Sequence, residues 1–142
     1  MVSISTALAV NANNTSATIT FSEPVYKSDG STRLTATELV PTIASGTATL
    51  SSYTVSTTDD TTFTFALTLS GTSDGSEVLT LTGAVYGSGA AYNTAISTTV
   101  SFNDLTAPSI LTALAVNADN TSLLFATSEP VYKSDGSTRL TE

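Results

Sequence analysis

The side chains best equipped for chemistry in this chain are its carboxylates: it carries 12 Asp and Glu, 4 Lys and Arg, and neither His nor Cys. Without His or Cys, hydrolytic triads of the usual kind cannot be assembled. Absence of Cys also excludes disulphides and thiolate metal sites. Two carboxylates flanking a glycosidic bond can hydrolyse it. The adjacent pair here, Asp59-Asp60, falls between two strand-like runs, where Asp commonly bonds the backbone of its own turn. No catalytic residue is expected.

Coordination of a hard divalent cation is the chemistry that remains. Calcium (Ca2+) is held by carboxylates together with backbone carbonyls. The candidate ligands are Asp104, Glu129 and Asp135, with Glu23 and Asp29 as their equivalents earlier in the chain. Their spacing is more open than that of an EF-hand loop. Asp29-Gly30 and Asp135-Gly136 also read as ordinary turn formers. No other cofactor is expected.

Three further features carry weaker chemistry. Lys27 and Lys133 invite comparison with the isopeptide crosslinks of some surface sandwiches, although both fall in polar loops where a solvated lysine is expected. Tyr26, Tyr86 and Tyr92 lie in or beside loops and could stack on sugars, or serve as half-buried caps with wet hydroxyls. Asn13-Asn14-Thr15, Asn14-Thr15-Ser16 and Asn120-Thr121-Ser122 fit the glycosylation pattern.

The elements that would position these groups follow from composition and pattern. Of 142 residues, 40% are apolar and 11% charged, against a usual charged share of about 25%. Ser and Thr make up roughly a third of the chain. Thr is β-branched and suits a half-buried pleated surface better than a helix. An all-β protein is expected. With a net charge of -8, the chain has no groove able to neutralise phosphates, so nucleic acid is an improbable partner. No run approaches the roughly 18 to 20 apolar residues of a membrane span. Met1-Val2-Ser3-Ile4 opens without the basic and apolar regions of a signal peptide, so any export signal is expected to lie outside this stretch.

The strongest signal is an internal repeat. Ala7-Leu8-Ala9-Val10-Asn11-Ala12 returns as Ala113-Leu114-Ala115-Val116-Asn117-Ala118, an offset of 106 residues. Residues 22–35 recur without change at 128–141, and residues 1–36 laid on 107–142 agree at 26 of 36 positions. That period exceeds a solenoid repeat and matches a complete sandwich domain of about 100 residues. The expected organisation is one full module over 1–105 and the opening third of the next over 106–142.

Alternation and turn residues place strands at about 4–10, 16–22, 38–43, 47–50, 53–57, 63–69, 77–82 and 95–102. Ile19 and Phe21 should face in, Thr18 and Thr20 out, and Pro24 should close the second strand. Seven or eight short strands at this spacing indicate a β-sandwich. Asn103-Asp104-Leu105-Thr106-Ala107-Pro108 reads as a short linker, stiffened at Pro108 and giving an elongated array. The second strand of a module returns to the pole where the module began. Glu129 and Asp135 should therefore lie near the linker that carries Asp104.

Three segments carry a family likeness. They are Thr18-Ile19-Thr20-Phe21-Ser22-Glu23-Pro24-Val25-Tyr26, then Leu67-Thr68-Leu69-Ser70-Gly71-Thr72 with Asp74-Gly75-Ser76-Glu77, then Asp104-Leu105-Thr106-Ala107-Pro108. In that order they resemble a bacterial immunoglobulin-like tandem repeat of large cell-surface and adhesin-like proteins. The resemblance covers the whole 106-residue module. It implies an immunoglobulin-like β-sandwich, an extracellular location and a stalk or adhesive role. The family often has an Asp and a Gly-Asn pair after the sixth long strand; here that stretch reads Val85-Tyr86-Gly87-Ser88-Gly89-Ala90-Ala91-Tyr92-Asn93, with Gly87 in place of the Asp.

The leading expectation is thus a structural or adhesive repeat, a spacer or fibre-forming unit whose partners are neighbouring copies of the same repeat. One alternative is a filament subunit polymerising by strand exchange through the partial second repeat. Another is a carbohydrate-binding module.

Overall fold

The computed structural model describes residues 1–90, 93–112, 114–133 and 138–140. The described residues are all-β, with antiparallel sheets and no α-helix. They divide into two units, Met1–Leu105 and Thr106–Glu142.

In the first unit seven strands form two sheets in a sandwich-like arrangement. One sheet holds β1 (Ile4–Val10), β2 (Ser16–Phe21), β5 (Thr62–Ser70) and β4 (Thr49–Thr57), in the order β1-β2-β5-β4. The other holds β3 (Leu39–Ala44), β6 (Val78–Tyr86) and β7 (Asn93–Ser101), in the order β3-β6-β7. Every strand pair is antiparallel. A 3-10 turn at Ser88–Ala90 separates β6 from β7.

The period-2 alternation of the sequence becomes the inside and outside of these sheets. On β2 and β5 the pairs Ile19↔Phe63 and Ala17↔Phe65 point inward, and all four side chains are buried. Thr18↔Thr64 and Thr20↔Thr62 point outward between them, the last pair with hydroxyls 3.3 Å apart. Leu39, Leu79, Leu81, Val85 and Ile96 of the second sheet are buried in the same apolar cluster. Phe21 meets Phe63 edge to face, with ring centroids 5.8 Å apart, the geometry that aromatic quadrupoles favour.

Two expected short strands, at 47–50 and 53–57, are one strand, β4, with a register irregularity between Leu50 and Ser52. Ser51-Ser52 carries no apolar signal that would bridge the two halves. Strand β6 runs to Tyr86, four residues beyond the expected end, because Gly83 fits where a larger side chain would strike the carbonyl of Glu38. Pro41 sits within β3, which lies at a sheet edge and tolerates a residue without an N–H.

The second unit holds a short hairpin of β8 (Ala115–Val116) and β9 (Leu123–Leu124). Its pairs Ala115↔Leu124 and Val116↔Leu123 repeat Ala9↔Thr18 and Val10↔Ala17 at an offset of 106. The bridge Tyr132↔Arg139 likewise repeats Tyr26↔Arg33.

Candidate functional site: the acidic loops at the two poles

No charged side chain of the first unit lies in a strand; all are in the loops at its ends. At the pole where β2 ends, residues 22–35 form a long loop folded onto its neighbours. Val25 is fully buried and donates its N–H to the carbonyl of Asp60 at 2.8 Å. Tyr26 and Tyr86 exchange backbone hydrogen bonds of 2.8 and 3.1 Å. Gly30, at φ +67, packs so closely on Gly89 and Ala90 that a Cβ would overlap their backbone.

The charges of this loop are consumed locally. Lys27 Nζ lies 3.2 Å from Glu38 Oε1 and donates to Thr35 Oγ1 at 3.2 Å. Arg33 Nε lies 3.3 Å from Asp60 Oδ1, a buried oxygen that takes no aligned hydrogen bond and whose charge the guanidinium offsets. Asp29 accepts from the Thr32 hydroxyl, the Thr32 N–H at 2.8 Å and the Ser31 N–H at 2.9 Å. Those bonds hold its pKa down at about 2.

Glu38 is pushed upward by burial, but hydrogen bonds from the Thr35 and Thr37 hydroxyls, the Thr35 N–H and Lys27 outweigh this and leave it at about 2. Asp59 accepts from the N–H groups of Thr62 and Thr61 at 2.8 and 3.0 Å, which also lowers it to about 2. The Asp59-Asp60 pair is thus engaged in turn structure.

At the opposite pole two buried polar groups organise the loops, and pattern reading singled out neither for this role. Asn14 is fully buried at φ 57. Its amide nitrogen donates to Ser73 Oγ at 2.7 Å and to the Asn103 carbonyl at 2.8 Å. Its amide oxygen accepts from the N–H and the side-chain amide of Asn103 at 3.0 and 2.9 Å. A side chain so enclosed cannot receive a glycan in the folded unit, so the pattern Asn14-Thr15-Ser16 is structural here.

Glu77 is the second such group. Its Oε1 accepts from the N–H groups of Thr47 and Ala48 at 2.9 and 2.8 Å, and its Oε2 from those of Asp74 and Gly75 at 3.1 and 3.2 Å. Burial opposes its ionisation, but the backbone donors at Ala48 and Thr47 prevail and lower its pKa. Gly46, at φ +77, leaves room for it: a Cβ there would collide with the carboxylate. The available signal was an acidic residue directly before the apolar alternation of β6, facing a Gly-containing turn.

The expected calcium ligands are distributed as follows. Asp104 forms an isolated bridge with Asp74 in the first unit, and its charge opposes the lowering of the Asp74 pKa by Ser76. Glu129 belongs to the second unit and is half-buried, its carbonyl accepting from Thr127 Oγ1 at 2.8 Å. Asp135 lies outside the described residues. Of the equivalents, Glu23 faces the Met1 amino group at 3.4 Å and Asp29 is turned into its own loop. Among the described residues no three His, Cys, Asp or Glu side chains converge on one point. Tyr26 and Tyr86 are half-buried; Tyr92 lies outside the described residues.

Compared with protein-family models, curated proteins and solved structures, the chain matches none.

Two outcomes follow from the polar contacts. Replacing Asn14 by Ala strands the partners of a buried amide and puts a Cβ-bearing, non-Asn residue at positive φ; a loss of about 2–4 kcal/mol is expected by chemical denaturation. Asp29, Glu38 and Asp59 have folded pKa values near 2, below their ordinary 3.8 to 4.5. In that interval the unfolded chain binds more protons, so acid favours unfolding. The denaturation midpoint should hold steady from neutral pH down to about 5 and then fall steadily toward pH 2.

Proposed function

We propose that this chain is part of a structural or adhesive repeat array in a long extracellular surface protein, each module acting as a spacer or fibre-forming unit. The observation that carries this reading is the 106-residue repeat together with the recurrence of its hairpin register: the second unit begins to build the module that the first unit completes. A sequence whose opening 36 residues return at a sandwich-sized offset is suited to building length by adding modules.

The strand order supports the immunoglobulin-like assignment. The sheets β1-β2-β5-β4 and β3-β6-β7 have the ABED and CFG order of a constant-type immunoglobulin sandwich. The non-catalytic reading is supported by the loops, whose carboxylates are committed to turns and ion pairs. Neutral strands and acidic poles suit a module that must stay soluble while presenting uncharged sides to its surroundings.

Calcium is proposed as an ion that this acidic chain binds, with Asp104, Glu129 and Asp135 as the candidate ligands. Isothermal titration of the 142-residue chain with calcium should give saturable heat that the triple variant Asp104→Asn, Glu129→Gln, Asp135→Asn abolishes. Equal heats from both would remove the ion from this proposal. The surface role is tested separately: antibodies against the chain should label intact cells of the source organism, and labelling only after lysis would overturn it.

A further inference from the structure

The ten mismatches between residues 1–36 and 107–142 are not scattered. Five form one consecutive block, Ala17-Thr18-Ile19-Thr20-Phe21 against Leu123-Leu124-Phe125-Ala126-Thr127. Immediately beyond the block, 14 residues are identical, and before it Asn14-Thr15-Ser16 is retained as Asn120-Thr121-Ser122. Divergence is thus concentrated on one strand.

The inward positions of that strand are among the most buried in the first unit: Ala17, Ile19 and Phe21 are 1%, 0% and 2% exposed. Ala17 and Ile19 stand opposite Phe65 and Phe63, and Phe21 meets Phe63 edge to face. Because the second hairpin keeps the register of the first, Leu123, Phe125 and Thr127 occupy the equivalent positions. Bulk is added at the first two and removed at the third. Seated against β5, the second hairpin would press Leu123 on Phe65 and Phe125 on Phe63, and would leave a hydroxyl and a void where Phe21 packs. Interiors resist both errors.

Near-identical hairpins in one molecule otherwise compete for the same β5 edge, within a chain or between copies. We propose that positions 17, 19 and 21, with their counterparts Leu123, Phe125 and Thr127, are a pairing-specificity set that prevents the second hairpin from replacing the first on β5. The partner that fits the second hairpin is a strand with residues smaller than Phe facing Leu123 and Phe125, and a bulky apolar side chain near Thr127. This inference needs only the repeat and the register, and stands apart from the surface role proposed above.

The test is refolding of the full 142-residue chain from denaturant at graded concentrations. It compares the wild type with a variant carrying Leu123→Ala, Leu124→Thr, Phe125→Ile, Ala126→Thr and Thr127→Phe, which gives both hairpins the same core strand. Two-dimensional amide spectra report on Thr62, Phe63, Thr64 and Phe65, and light scattering reports mass. The wild type should give one set of β5 resonances. The variant should give a second set from the exchanged hairpin, with or without a rise in mass. A single set in the variant, or two sets in the wild type, would overturn the proposal. In the reciprocal graft, Ala17→Leu, Thr18→Leu, Ile19→Phe, Thr20→Ala and Phe21→Thr should abolish the cooperative denaturation transition of the first unit; an unchanged midpoint would equally overturn it.

Discussion

Apolar contact holds the faces of the two sheets together, since every charged side chain of the first unit sits in a loop at their ends. That contact joins Ala17, Ile19, Phe21, Phe63 and Phe65 on one side with Leu39, Leu79, Leu81, Val85 and Ile96 on the other. No disulphide is available to reinforce it. A sandwich of this kind depends on strict alternation, since a register slip of one residue would turn Phe63 and Phe65 to solvent and Thr62 and Thr64 inward. The outward threonines serve the same end: β-branched and able to pair their hydroxyls across strands, they keep the outer face compatible with strand geometry without a competing apolar stripe.

Once the sheets are packed, their ends leave backbone donors that water reaches poorly, and the buried polar groups sit at these ends. Glu77 satisfies four N–H groups from two loops with one carboxylate. Asn14 joins the β1–β2 turn to Ser73 and to Asn103. Neither arrangement would be favourable alone, because each places a polar group where an unmet partner is costly. They are stabilising because the core has already fixed the distances between loops. The poles therefore follow from the core, and they position the point at which the chain leaves the first unit at Leu105.

Much of this architecture was legible from period and punctuation. The strict alternation of Phe63, Phe65, Leu67 and Leu69 marks β5, and Pro24 marks the end of β2, because both signals are local. The polar poles were not legible, because their meaning depends on contacts between distant residues: Asn14 and Asn103 are 89 positions apart, and Glu77 reaches back 30 to Thr47. Asn14 looked like a glycosylation site because the same small amide that suits a turn also suits that pattern. Among the metal candidates, the turn chemistry of Asp29-Gly30 was visible, and the structure places its carboxylate in that turn.

The pattern of repetition itself has a physical logic. Residues 22–35 are copied without change at 128–141, and in the first unit they are held by Glu38, Asp60, Tyr86 and Ala90, groups drawn from the end of the same connection, two other loops and a strand. A loop tied to so many partners can change only if all of them change together. The middle of β2 answers chiefly to side chains across one sheet and one core, so a few compensating substitutions elsewhere in a module can re-size it. Identity in the loop and divergence in the strand therefore express two kinds of constraint. The loop is fixed by polar partners whose geometry admits little variation, whereas the strand needs only enough apolar volume in a shape that its own module accepts.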